Sequence, residues 1–228
     1  MSPPLVSCIL PTHNRARYIR AAIDCFLSQT YAPLELVIVD SGNDGTISLV
    51  PHDIPNITYR WLRRPVAPTT GEMRNLCCET ATGEIICHFD SDDWSAPNRV
   101  HDQVTRMLDA DAVLTGYKSL LFYEEDKREV YRWAWQNGLP FCLGTSLCYR
   151  KDLWQSLRFG LLRIGEDFRF FQQAHRQHPH RVAIAHGGSQ MVARIHKTQT
   201  CYKNLTSTNY QRVGLSELPE AFRGLQPD

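Results

Sequence analysis

The stretch Glu84-Ile-Ile-Cys-His-Phe-Asp-Ser-Asp-Asp-Trp94 decides the fold. Its first six residues form a short apolar run, which predicts a buried strand, and three carboxylates follow that strand directly. A buried strand that ends in a polar loop is typical of parallel sheets, which bind ligands at the carboxyl ends of their strands. The runs at 5–10 and 34–39 repeat the pattern, because they end at Pro11 and Asp40.

Helical patterns separate these strands. Apolar residues recur at helical spacing between 19 and 27, and 71–81 and 98–109 are predicted as further helices. Strands that alternate with helices predict an α/β fold with a mostly parallel sheet and helices on both faces. Because strand ends meet at one edge of such a sheet, we expect one site built from the loops 12–15, 40–44 and 90–93.

Composition excludes several other classes of protein. The chain has 228 residues, of which 43% are hydrophobic and 21% are charged, so it can form one folded domain. A net charge of +1 argues against a nucleic-acid partner. The eight cysteines lack the spacing of zinc sites and favour a reducing cytosol. We expect a cytoplasmic protein without an integral membrane segment; peripheral membrane attachment through a partner and a homodimer both stay open.

The acidic cluster carries the chemistry. Asp90, Asp92 and Asp93 place three carboxylates within four residues, which is costly unless a cation is present. Mn²⁺ or Mg²⁺ suits this cluster, because Mg²⁺ typically uses one or two protein carboxylates and leaves other positions to water and phosphates. The cluster therefore predicts a metal–diphosphate site. The alternative is a solvated acidic turn that caps the next helix.

Several further motifs follow in the order of a known family. They are Pro11-Thr-His-Asn14, Val39-Asp-Ser-Gly42, Gly71-Glu-Met-Arg-Asn75, Asp90-Ser-Asp-Asp93, Gly165-Glu-Asp167 and Arg194-Ile-His196. Through them the chain resembles a family 2 glycosyltransferase of the GT-A fold, over about residues 4 to 200. The resemblance implies a metal-dependent, inverting glycosyltransferase. Such an enzyme moves a sugar from a nucleotide-diphosphate sugar, with UDP-sugar favoured, to a hydroxyl of a glycan or polysaccharide.

The resemblance also assigns residues by position. The nucleotide-sugar site comprises the strand-end loops and two arginines: Pro11, Thr12, His13, Asn14, Arg15, Asp40, Ser41, Arg74, Asp90, Ser91, Asp92 and Arg194. The metal is assigned to Asp92, Asp93 and His196, although the choice among the three clustered aspartates stays open. The family commonly has a second acid after Asp40, and here that position is Ser41.

Asp167 resembles the family's catalytic base, with Glu166 as its helper. A carboxylate suits this task because the bound sugar can partly desolvate it and raise its pKa. The alternative is that both acids only favour the positive start of a helix. His196 follows Arg194 by two residues, so both would lie on one side of a strand, where positive charge would stabilise a departing diphosphate.

The second half of the chain is less regular. Tyr131, Trp133 and Trp135 alternate as on one face of a strand and suit either an acceptor sugar or the core. We expect a donor-binding half, an acceptor half and a tail: 1–110, 111–202 and 203–228. Two alternatives remain, a catalytically degenerate nucleotide-sugar-binding scaffold and a sugar nucleotidyltransferase. The latter should carry a glycine-rich phosphate loop after the first strand, and residues 10–14 are not one.

Overall fold

The structure, a computed structural model, describes residues 2–136, 138 and 140–223. Within them the strands are β1 (Val6–Thr12), β2 (Leu34–Asp40), β3 (Ile57–Trp61), β4 (Ile85–His88), β5 (Trp94–Ser95), β6 (Leu114–Tyr117), β7 (Ser119–Glu124), β8 (Glu129–Ala134), β9 (Cys148–Arg150), β10 (Val182–Ala185), β11 (Met191–Ile195) and β12 (Tyr210–Val213). The helices are α1 (Ala16–Leu27), α2 (Thr70–Thr80), α3 (Arg99–Asp109), α4 (Lys151–Leu157), α5 (Glu166–Gln177) and α6 (Glu220–Arg223).

The larger sheet has seven strands in the order β10-β6-β9-β4-β1-β2-β3. Strands β1 to β4 of this sheet run parallel to one another, and β9 runs antiparallel to both β4 and β6. The register places Thr12 opposite Asp40 at the carboxyl ends of β1 and β2. The α/β fold with a mostly parallel sheet is therefore confirmed.

Both faces of this sheet are covered by helices, as predicted. Cys8 and Leu10 pack in a cluster with apolar residues of α1 and α3, whereas Ile9 packs in a second cluster with α2, α4 and α5. Neighbouring residues of β1 face opposite sides because side chains alternate along a strand. Burial on both faces explains why β1, β2 and β4 are continuous apolar runs.

A second sheet of five strands, in the order β12-β8-β7-β11-β5, is an addition that the sequence did not predict. Strand β5 follows the acidic cluster directly and pairs with β11, so Val192 lies opposite Trp94. This pairing brings the segment that ends at His196 beside the acidic cluster. Strand β12 and the buried Phe222 show that residues after 203 pack against this sheet.

None of the helices in the described residues combines the length and apolarity needed to cross a bilayer.

Candidate active site

A cleft of about 340 Å³ opens at the carboxyl ends of β1, β2 and β4. The three polar loops meet there, together with the start of α5 and the end of β11. Most residues predicted for the site line it: Pro11, Thr12, His13, Arg15, Ser41, Arg74, Asp90, Ser91, Asp92, Asp93, Glu166, Asp167 and Arg194. Asn14, Asp40 and His196 do not line the cleft. His196 nevertheless contacts a residue that does.

Asp92 is the acid that faces two basic side chains. Its Oδ2 lies 3.2 Å from Arg15 Nε and 2.9 Å from His196 Nε2. Burial alone would raise the pKa of Asp92, but the hydrogen bond from His196 and the charge of Arg15 lower that pKa below its ordinary value. Within the described residues Oδ1 of Asp92 has no hydrogen-bond partner, which leaves that oxygen for a ligand.

Both carboxylate oxygens of Asp93 accept hydrogen bonds within the protein. Thr145 Oγ1 donates to Oδ2 at 2.7 Å, and the backbone N–H of Arg194 donates to Oδ1 at 3.0 Å. Burial, with the negative charges of Asp92 and Asp90, raises the pKa of Asp93 to about 7. Asp93 therefore joins the acidic cluster to β11 and to the loop before β9.

Arg74 joins the two acidic motifs. Its Nη2 lies 3.2 Å from Asp90 Oδ1, and its Nε lies 3.2 Å from Glu166 Oε1. Arg74 is buried, as is Glu166, and burial raises the pKa of Glu166 despite the neighbouring guanidinium. Arg74, which the sequence assigned to the nucleotide-sugar site, lines the cleft and links the acidic cluster to the start of α5.

His88 is a buried member of this network that sequence analysis missed. Its Nδ1 lies 2.7 Å from the carbonyl of Gly144 and 2.9 Å from Arg74 Nη1, and Tyr149 Oη lies 3.2 Å from Nε2. Burial and the charge of Arg74 hold the pKa of His88 well below its ordinary value, so the ring is neutral. The only feature of the sequence that could have indicated this role is that His88 is a polar residue within the apolar run before the acidic cluster.

Asp167 lies at the start of α5 and faces the cleft. Its carboxylate packs directly on Gly144, since a Cβ placed on that glycine would lie 1.7 Å from Asp167 Oδ2. The helix starts after Gly165, whose φ of 82° is the left-handed conformation that glycine adopts readily. Gly144 and Gly165 thus fix where this carboxylate stands.

Asp40 and Asn14 support the loops at the ends of β1 and β2. Asp40 accepts hydrogen bonds from the Gly42 N–H and from Tyr59 Oη, both at 2.7 Å, and is buried. Asn14 Oδ1 accepts from the N–H of Asn43 at 2.9 Å. Both side chains therefore have hydrogen-bond partners within the protein.

Ser41, His13 and Thr12 present the polar surface at this end of the cleft. Ser41 Oγ lies 3.0 Å from His13 Nδ1. Thr12 Oγ1 is buried without a hydrogen-bond partner among the described residues. Buried hydroxyls are usually hydrogen-bonded, so Thr12 has capacity for a ligand.

Two further side chains, Tyr18 and Glu125, support His196 and Arg194. The Tyr18 ring lies 4.7 Å from the His196 ring, and Tyr18 Oη donates to Glu125 Oε2 at 2.8 Å. Arg194 Nη1 lies 3.3 Å from Glu125 Oε1. Tyr18 and Glu125 were missed by sequence analysis, because they lie on α1 and just after β7 and meet only in the folded chain.

The described residues contain no ready-made group of three or more His, Cys, Asp or Glu side chains that could hold a metal ion. The side chains present fit a metal ion that is bound by one protein carboxylate together with phosphate and water oxygens. Hard divalent cations are often bound in this way. Asp92 fits this best, because Oδ1 is available and His196 adjoins its other oxygen.

Comparison with known proteins identifies relatives. A family model described as Glycosyl transferase family 2 matches residues 7–179. The chain is 26% identical over 202 residues to an uncharacterized glycosyltransferase of Haemophilus influenzae, which covers 84% of this chain and 80% of the relative. It is 31% identical over 108 residues to the Escherichia coli UDP-Glc:alpha-D-GlcNAc-diphosphoundecaprenol beta-1,3-glucosyltransferase WfgD, which covers 47% of this chain and 43% of that relative. The chain thus spans less than half of the E. coli relative.

Solved structures share the GT-A fold with this chain. Staphylococcus aureus TarS 1–349 in complex with UDP-GlcNAc matches with a TM-score of 0.66 at 18% identity, over 86% of this chain and 60% of that chain. The Pyrobaculum calidifontis mannosyltransferase PcManGT, in complex with GDP-Man and Mn²⁺, matches with a TM-score of 0.68 at 20% identity, over 87% and 59%. At sequence identities this low, the structural matches establish a common fold and nothing further.

Proposed function

The chain belongs to glycosyltransferase family 2, and from this premise we propose that it is a metal-dependent, inverting glycosyltransferase. Its donor is a nucleotide-diphosphate sugar, with UDP-sugar favoured, and its acceptor is a hydroxyl of a glycan or polysaccharide. The donor lies against residues of the first half, 1–110, and the acceptor against residues of 111–202. The cofactor is Mn²⁺ or Mg²⁺.

One observation carries this proposal: the acidic cluster and the Glu166–Asp167 pair line a single cleft and are joined by Arg74, which lines the same cleft. A transferase needs a cation site for the leaving diphosphate and a base for the attacking hydroxyl, within reach of one substrate. Asp92 and Asp167 supply these two groups from distant segments. An acidic turn that only capped a helix would not need to meet a second acidic motif.

In the proposed reaction, Asp167 accepts the proton of the acceptor hydroxyl while the hydroxyl oxygen forms a bond to the anomeric carbon. The bond from that carbon to the diphosphate oxygen breaks at the same time, which inverts the configuration. A divalent metal, when bound, supplies positive charge to the diphosphate. Asp92 and His196 would hold it, and Arg15 adds charge on the same side.

The acceptor side carries aromatic rings beside Asp167. Phe168 follows the proposed base and is 38% exposed, and its ring lies 5.5 Å from that of Phe141. Trp135 continues this surface at 4.7 Å from Phe141, whereas Trp133 is buried. Aromatic faces suit the apolar faces of sugars, which supports a saccharide acceptor.

Calorimetric titration with UDP, GDP, CDP and dTDP, each with and without Mn²⁺, tests this proposal. We expect metal-dependent binding of one nucleotide, lost in Asp92→Asn and kept in Asp53→Asn, which removes an exposed carboxylate outside the cleft. A folded wild-type protein that binds none of the four would refute the donor site. Metal-dependent binding without turnover of the matching nucleotide-sugar, with or without acceptor, would favour the degenerate scaffold.

A further inference from the structure

Arg15 connects three separate parts of the candidate active site. It precedes α1, and its side chain is only 10% exposed. Nε lies 3.2 Å from Asp92 Oδ2, and Nη2 donates to the carbonyl of Thr198 at 2.6 Å. One side chain therefore joins the start of α1, the acidic cluster and the segment 196–201 that follows β11.

The segment 196–201 depends on these polar contacts. His196 Nε2 lies 2.9 Å from the same oxygen of Asp92, and His196 Nδ1 lies 3.0 Å from Thr198 Oγ1. Lys197 is exposed, and residues 198–201 line the cleft. Asp92 is thus the anchor of the segment, through His196 directly and through Arg15.

This arrangement places Arg15 in competition with a metal. A cation bound to Asp92 would stand beside the guanidinium that now neutralises the same carboxylate, and like charges at such distances repel strongly. Arg15 would therefore release Asp92 when the metal and donor bind. Its second contact, to the backbone of Thr198, does not involve Asp92 and can persist.

We propose that Arg15 is a positioning residue with two opposed effects: it weakens metal binding to the free protein and holds the segment 196–201 over the cleft. Once Asp92 passes to the metal, the guanidinium stays at the segment and faces the donor diphosphate. This inference rests on the proposed function, because it assumes that Asp92 is a metal ligand.

The effect of Arg15 on metal binding is tested by titrating the free protein with Mn²⁺ alone. The electron paramagnetic resonance signal of the unbound ion measures how much Mn²⁺ is bound. We expect Arg15→Met to bind Mn²⁺ roughly tenfold more tightly than wild type, because an opposing charge has been removed. Arg15→Lys keeps that charge and should bind close to wild type. Arg17→Met is the matched control, since it removes a charge two residues away that pairs with Glu125.

Trypsin cleavage after Lys197, measured by mass spectrometry, tests the second effect. Both Arg15 variants should be cut there faster than wild type by roughly tenfold, because lysine cannot contact Asp92 and the Thr198 carbonyl with one rigid fork. Arg17→Met should be cut like wild type. If Arg15→Met does not fold, Arg15→Lys still decides this effect.

Unchanged or weaker Mn²⁺ binding by Arg15→Met would overturn the competition, as would a wild-type protein and variant that both bind no Mn²⁺. Unchanged cleavage in both variants would overturn the hold on the segment. Failure of the proposed function is recognised separately, because it is the absence of nucleotide binding by wild type. This inference fails on Mn²⁺ binding or on cleavage while nucleotide binding by wild type is intact.

Discussion

Arg74 and Glu166 form an ion pair of 3.2 Å in which each side chain is only 5% exposed. The residues are 92 positions apart in the chain, on α2 and at the start of α5. The same guanidinium reaches Asp90, so the position of the acid beside the proposed base is tied to the acidic cluster. The two walls of the cleft are therefore coupled through one buried cation.

Removal of Arg74 should destabilise the protein strongly. Arg74→Met leaves Glu166 buried without its partner, and breaking a buried ion pair from one side costs about 3–5 kcal/mol. The double variant Arg74→Met/Glu166→Gln should be more stable than the sum of the single losses predicts, by about 0.5–3 kcal/mol. Urea unfolding of all four proteins measures this coupling.

The exposed pair between Arg132 and Glu217 provides the control for this cycle. Arg132→Met should change the free energy of unfolding by less than about 1 kcal/mol, because solvent screens exposed pairs. Additive losses in the Arg74 and Glu166 cycle would show that the buried pair is not coupled.

Asp167→Asn should separate catalysis from donor binding. The amide keeps the size of the side chain but cannot take a proton, so we expect turnover of the donor to fall by about 10²–10⁴-fold. Nucleotide affinity should stay close to wild type, because Asp167 contacts none of the residues assigned to the metal. Turnover of the matching nucleotide-sugar and calorimetric titration with the nucleotide give the two readouts; equal losses in both would argue against a base.

Gly144→Ala should resemble Asp167→Asn, although it changes no ionisable group. The new methyl would overlap the Asp167 carboxylate, so that carboxylate must move away from its position at the cleft. We expect a loss of turnover of about 10²-fold, since small misplacements of reacting groups have effects of that size. Gly188→Ala is the control, because a Cβ there meets nothing within 4 Å. Full activity of Gly144→Ala would show that the position of Asp167 tolerates this shift.

The larger sheet could be predicted because its central strands are short apolar runs that are recognisable in the local sequence. Residues 36–39 of β2 and 85–87 of β4 are apolar and buried on both faces, and each strand ends at a polar loop. In the second sheet, the alternation of Tyr131 and Trp133 in β8 indicated a strand, but the pairing of its strands into a sheet gave no local signal. Its strand β12 pairs with β8, so that Tyr210 lies opposite Trp133. The local sequence of either strand does not indicate which distant strand it pairs with.

The sequence motifs identified the candidate residues of the site, but they did not predict which way each side chain points. Asp40 and Asp93 stand in acidic motifs that read as ligand contacts, yet their oxygens bind Tyr59 and Thr145 inside the protein. Arg99 of α3 is fully buried, although charged side chains ordinarily face solvent. The orientation of each side chain depends on partners from distant segments.

His88 should make stability sensitive to acid. In the unfolded chain its ring takes up a proton near its ordinary pKa of about 6.5, whereas the folded protein holds the pKa of His88 well below that value. Below pH 6.5 the unfolded state therefore binds more protons than the folded state, and the free energy of unfolding falls as pH falls. The contribution of His88 approaches about 1.4 kcal/mol per pH unit.

Urea unfolding between pH 8 and pH 5.5 measures this loss, and His88→Gln is the variant that isolates it. The glutamine cannot titrate but can donate to the Gly144 carbonyl, so the variant should lose less stability with acid than wild type. Nuclear magnetic resonance of the His88 ring gives an independent readout, because a neutral buried ring should show no titration over this range. A His88 signal that titrates with a midpoint near 6.5, or equal acid sensitivity in His88→Gln, would contradict the prediction and remove the neutral ring from the network under Arg74.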